Sequence, residues 1–93
     1  MSTRFIIEVP HEDSMASCIH AVEVFLKTGS HFLTHADWGC KDGVHKAWLV
    51  IEADSREQAR AIVPSPFRDL ATIVQLNSFS MEDIENIRQH RPS

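Results

Sequence analysis

His31–Ala53, HFLTHADWGCKDGVHKAWLVIEA, carries the strongest fold signal in this chain. It holds three of the six histidines, one of the two cysteines, both tryptophans and two of the three glycines. Asp42-Gly43 lies between two alternating runs. That pair predicts two antiparallel strands joined by a type I′ turn, because both residues tolerate positive φ. With Asp42 and Gly43 as the loop, Lys41 faces Val44, Cys40 faces His45, Trp38 faces Ala47, Asp37 faces Trp48 and His35 faces Val50. Side chains alternate between the faces of a strand. One face then carries Phe32, Thr34, Ala36, Trp38, Cys40, His45, Ala47, Leu49 and Ile51. The other carries His31, Leu33, His35, Asp37, Lys46, Trp48, Val50 and Glu52. A bulge at Gly39 would exchange the faces at the tip and bring His45 round to the side of His35.

Before this stretch, Arg4–Pro10 (RFIIEVP) reads as a short strand stopped by proline. Phe5, Ile7 and Val9 point one way; Arg4, Ile6 and Glu8 point the other. Asp13 or Ser14 is suited to cap a helix over Met15–Thr28. Met15, Cys18, Ile19, Val22, Phe25 and Leu26 fall at helical spacing and predict its buried stripe, with Gly29 as the stop. After the stretch, Ser55 and Gln58 have capping-box spacing and open a second helix. Pro64 and Pro66 end it. Thr72–Phe79 (TIVQLNSF) reads as the last strand, with Val74 and Leu76 on one face and Ile73, Gln75, Asn77 and Phe79 on the other. Ser80 and Asp83 can cap a third helix, Met81 to about His90. The tail, Arg91–Ser93, is expected to be mobile.

The order is βαββαβ plus a C-terminal helix, an α+β arrangement of the ferredoxin-like kind. Two right-handed crossovers would lay both main helices on one face of a four-stranded antiparallel sheet. The 93 residues suffice for one domain spanning 1–93. A chain this short buries only about 60–70% of its unfolded surface. The open face would carry Ile6, Leu33, Trp48, Val50, Ile73 and Phe79, too many large apolar groups to leave in water. Two such sheets packed face to face would cover them, so a homodimer is expected.

The composition excludes some partners. The formal charge is −4 with no basic run, so no nucleic-acid footprint is expected. No apolar run approaches the ~20 residues of a membrane span. MSTRFIIEVPHED does not read as a signal peptide. Two cysteines do not make a secreted disulfide framework, so a cytoplasmic protein with both thiols reduced is expected.

In element order, length and half-apolar open face, the region from Arg4 to Ile87 resembles the dimeric α+β barrel superfamily. The resemblance implies a dimer, and members include small monooxygenases, muconolactone-isomerase-like proteins and stress-associated domains. The segments HFLTHADW and AWLVIEADSREQAR are also similar to small ferredoxin-like domains described as nickel-binding. There a histidine on the second strand is a ligand candidate, and His35 would be its counterpart.

Several residues could carry chemistry. His35 and Asp37 are one strand step apart on one face, about 6–7 Å between Cα atoms. An imidazole and a carboxylate so placed can share a divalent metal, or act as a proton shuttle. Glu8 and Asn77 or Gln75 would point into the same space, with Trp48 as a wall or a dimer anchor. Cys40 and His45 across the turn could bind a soft metal. A bland alternative is that these groups only pack and hydrogen-bond at the hairpin. Cys18 reads as a small core residue, and His11 has no motif. The expected pocket is thus Glu8, His35, Trp48 and Asn77. The expected metal ligands are His35, Asp37, Cys40 and His45, for nickel, copper or zinc. A cofactor-free monooxygenase- or isomerase-like enzyme and a structural or regulatory dimer without ligand stand as alternatives.

Overall fold

The computed structural model describes residues 2–28 and 30–90. Gly29, expected as a helix stop, and the tail Arg91–Ser93 lie outside the described residues. Strand β1 (Thr3–Pro10) pairs along its full length with β3 (Lys46–Ala53), from Thr3 opposite Ala53 to Pro10 opposite Lys46. Strand β2 (Asp37–Trp38) flanks β3, and β4 (Thr72–Gln75) flanks β1, so the antiparallel sheet has the order β2-β3-β1-β4. The two-residue period sorts the central pair cleanly. Phe5, Ile7 and Val9 are buried, as are Ala47, Leu49, Ile51 and Ala53.

Helix α1 (Met15–Thr28) covers that buried face with Cys18, Ala21 and Phe25. Ser14 caps it, its hydroxyl accepting from the Ser17 N–H at 3.1 Å. The phenyl ring of Phe25 stands edge-on to Trp38 and Phe67, with centroids 4.9 and 5.9 Å away. The expected stripe is half right. Met15, Ile19 and Leu26 are more than half exposed, because the helix turns Cys18, Ala21 and Phe25 inward instead.

Helix α3 (Arg56–Ile62) adds Ala59 to the core. Its Ser55 hydroxyl accepts from the Gln58 N–H, and the Gln58 side chain accepts in turn from Asp54 N–H. The proline-rich segment after it is a 3-10 turn over Ser65–Leu70 that buries Phe67. Arg60 donates to the carbonyls of Arg68 and Ala71, holding that turn against α3. Helix α4 (Met81–His90) is closed by the Ser80–Asp83 pair, each side chain bonding the other's backbone N–H. No residue of α4 is buried.

The organising stretch departs from a plain hairpin. His31–Thr34 is one turn of helix, α2, and not the start of a strand. In the expected strand register Leu33 would face the open side and Phe32 the helix-covered side. The helical turn instead buries Leu33 at 1% exposure and leaves Phe32 at the surface. Thr34 closes the turn by donating its hydroxyl to the His31 carbonyl. Leu33, expected on the open face, is therefore in the core. His35 follows the helix and has no partner on β3.

The tip also differs. Cys40–Asp42 form a 3-10 turn, and Gly43 alone has positive φ, at 82°. A type I′ turn needs positive φ at both central residues, so the expected turn is corrected. The register nevertheless matches the unbulged one. Asp37 lies opposite Trp48 and Trp38 opposite Ala47, and the Gly39 N–H donates to the Lys46 carbonyl at 3.1 Å. Gly39 is required there. A Cβ on it would sit 2.9 Å from the Trp48 ring and 2.7 Å from the Val44 carbonyl oxygen.

Strand β4 has the opposite parity from that expected. Ile73 lies beside Ile7 and is buried, while Val74 lies beside Ile6 and is 48% exposed. β4 stops at Gln75, so Asn77 and Phe79 are beyond the sheet.

Candidate functional site: a histidine–cysteine cluster under the sheet edge

Strand β1 does not stop mattering at Pro10. The His11 N–H donates to the His45 carbonyl at 3.1 Å, extending the β1–β3 pairing by one step. Parity then puts His11 and His45 on the helix-covered face, beyond Val9 and Ala47. Their rings meet edge to face, 5.4 Å between centroids. Cys18 reaches the same place from the first turns of α1, and Cys40 from the 3-10 turn. The two cysteines form a disulfide, with Cα atoms 6.6 Å apart. This corrects the expectation of two reduced thiols, and of Cys18 as a mere core residue.

His11 is the third member. Its Nε2 lies 3.3 Å from Cys40 Sγ. The ligand atoms of His11, Cys18 and Cys40 all fall within 4.8 Å of one another. Burial, and then the charge of nearby His45, hold His11 below the ordinary histidine range. It is therefore neutral at pH 7, with a ring lone pair free to accept a proton or a metal. His45 Nε2 contacts an Asp13 carboxylate oxygen at 2.8 Å. Asp13 is free for that role because Ser14 does the capping. The Nδ1 atoms of both His11 and His45 are buried with no hydrogen-bond partner among the described residues.

The residues singled out from sequence divide into three places. Cys40 and His45 belong to this cluster, although Cys40 meets Cys18 and His11, not His45 across a regular turn. Glu8 and Trp48 meet on the open face: the indole N–H donates to Glu8 Oε1 at 3.1 Å, and Lys46 Nζ lies 3.5 Å from Glu8 Oε2. Asp37 is exposed on β2, opposite Trp48. His35 stands apart from both places. It is exposed at the end of α2, its Nδ1 at 2.8 Å from the His31 carbonyl, the geometry of a hydrogen bond donated to that oxygen. Asn77 is exposed beside α4, lining a shallow hollow with Phe79 and Asp83. The four-residue pocket of Glu8, His35, Trp48 and Asn77 is thus not assembled in one place within this chain.

Sequence reasoning missed His11 and Asp13. A signal for His11 existed: extending the parity of Phe5, Ile7 and Val9 by one step puts it on the covered face. Asp13 had none, since either it or Ser14 could cap α1. No helix among the described residues is long and apolar enough to cross a membrane. Comparisons with models of known protein families, with curated proteins and with solved structures give no match.

Proposed function

We propose that this chain is a small metal-binding protein whose centre is His11, Cys18 and Cys40 in the dithiol state. The observation that carries this is the convergence of three ligand atoms within 4.8 Å, from the residue after β1, from α1 and from the tip of the β2–β3 connection. The disulfide is the oxidised, metal-free form. Two electrons and two protons open it to two thiols, and a metal then displaces the thiol protons. Two thiolates and one imidazole suit zinc or copper(I) better than nickel. Three protein ligands leave a position open, as in catalytic zinc sites. His45, whose ring meets that of His11, is a further donor beside them. In a reducing cytoplasm the thiols would stay open and ready for metal.

The test is calorimetric titration of zinc and nickel, and competition titration of copper(I), into protein reduced without oxygen. Wild type and His35→Ala should bind stoichiometrically; His11→Ala and Cys40→Ser should not. If wild type binds none of these metals tighter than about 10 μM, or if His35→Ala alone loses binding, the site is misplaced.

The same reading keeps the homodimer. Val50 and Val74 are about half exposed on the open sheet face, beside the half-buried Ile6 and Trp48. Met81 and Ile87 of α4 are also exposed. The strand order supports a ferredoxin-like sheet, and pairing of two open faces would give a dimeric α+β barrel. Val50→Glu should convert a dimer to a monomer in light scattering at micromolar concentration. A monomeric wild type would remove the dimer and leave the metal centre standing.

A further inference from the structure

Besides facing His11, Cys18 and Cys40 line a cavity of about 500 Å³. Its other walls are Met15, Ile19 and Val22 of α1 and Trp38 of β2. Met15, Ile19 and Val22 stand at helical spacing and form a ridge along one side. Met15 and Ile19 are each 55% exposed, although α1 has a sheet to pack on. The sheet is covered by Ala21 and Phe25 instead, so this apolar ridge serves the cavity. Glu23 and Lys41 also border it. One charge of each sign gives little selection by charge, and the wall selects for an apolar body.

We propose that this cavity is a thiol–disulfide exchange site for organic thiols that carry an apolar body. The inference goes beyond the metal reading and does not depend on it, since exchange occurs whether or not the dithiol then takes a metal. The geometry also orders the steps. A thiolate RS⁻ bonds to Cys18 Sγ as the Cys18–Cys40 bond breaks, and Cys40 leaves as a thiolate. His11 Nε2, 3.3 Å from Cys40 Sγ, can donate its N–H to the departing sulfur in that tautomer. The group R, now on Cys18, lies beside Met15 and Val22, which are three before and four after it on α1. A second RS⁻ bonds to the sulfur of that R group and the bond to Cys18 breaks. RSSR leaves as the oxidised product, and the two electrons lost by the thiols stay on the sulfurs of Cys18 and Cys40. The protons shed by the two thiols end on Cys18 and Cys40.

The test compares two thiols of similar acidity, benzyl mercaptan and 2-mercaptoethanol, as reductants of the native bridged protein. Freed cysteines are trapped by alkylation and counted by mass spectrometry. The urea-unfolded chain gives the intrinsic rate ratio of the two thiols. In the native protein the preference for benzyl mercaptan should exceed that intrinsic ratio by about tenfold, as partial burial of a phenyl group implies. Ile19→Glu and Met15→Glu, both at exposed positions, should each abolish the excess. Leu26→Glu, exposed on the same helix outside the cavity, should keep it. Peptide mapping of the trapped intermediate should find the benzyl group on Cys18. Equal ratios in native and unfolded protein, an excess that survives Ile19→Glu, or a benzyl group on Cys40 would each overturn the proposal. A failed metal titration with this selectivity intact would sink the metal reading alone.

Discussion

The chain has two histidine pairs that differ in what holds them. His31 opens α2 and His35 follows it, four residues on, with ring centroids 4.3 Å apart. His11 and His45 are distant in sequence and meet through the β1–β3 register, with centroids 5.4 Å apart. The first pair is exposed, and the His35 ring answers only to its own helix turn. The second sits against a disulfide, one step beyond the paired ends of the two longest strands. Proximity in sequence brings ligand-type side chains together cheaply, but a single exposed turn fixes neither their rotamers nor their surroundings. Strand pairing over eight residues does fix them. The contrast teaches that a high local density of histidines is a poorer guide than parity along a paired strand.

Three expectations sharpen or break this contrast. The largest effect belongs to the residue that ties α2 down. Leu33 is fully buried, so Leu33→Ala should cost about 3–5 kcal/mol in a urea melt. His31→Ala and His35→Ala should each stay within about 0.5 kcal/mol, as at ordinary surface positions. Comparable losses at all three would mean that α2 uses its histidines structurally.

Next comes the bridge. Cys18 and Cys40 are 22 residues apart, and closing a loop of that length restricts the unfolded chain. Opening the bridge should lower stability by about 3 kcal/mol on the chain-entropy model. Unfolding with and without reductant measures this, and added zinc should restore much of the loss in the reduced protein. A reduced protein that zinc leaves no more stable would weaken the metal reading.

The smallest effect is the pH dependence of His11. Its folded pKa is lowered, so the unfolded chain takes up this proton first as pH falls. Stability from this group is full above the ordinary histidine range. It declines as pH drops through that range and levels off once folded His11 is also charged. Urea melts on wild type and His11→Gln check it: the variant should show a flatter decline between neutral and mildly acidic pH. Identical slopes would place His11 in a wetter setting than the structure gives it.

Much of the fold was legible because strand parity is a strong signal where one face is buried. Phe5, Ile7 and Val9, and Ala47, Leu49 and Ile51, sort as the alternation says. The Asp37–Trp48 and Trp38–Ala47 pairing follows from the position of the turn, even though the turn itself is a 3-10 turn closed by Gly43. Parity failed where the run was short. Ile73 and Val74 are both β-branched and either could face in; the pairing of Ile73 with Ile7 decides it. At His31–Thr34 the alternation misleads: one helical turn brings Leu33 into the core, where a strand in the expected register would have placed it on the open face. The site was half legible. Cys40 and His45 were placed on the covered face and Cys18 on the inner stripe of α1, but nothing local joins those two surfaces. Only the packing of α1 over the edge of the sheet brings Cys18 to Cys40 and seats His11 beside them.

Cobalt(II) titration of the reduced protein under nitrogen, followed by absorption, reads out the proposed metal centre. Two thiolates and an imidazole around cobalt should give thiolate-to-metal charge-transfer absorption and the visible bands of a tetrahedral ion, saturating at a single equivalent and bleached by zinc. The bridged protein should show neither, and His35→Ala should titrate as wild type does. A reduced protein that stays colourless, or a bridged protein that colours equally well, would contradict a metal centre built on His11, Cys18 and Cys40.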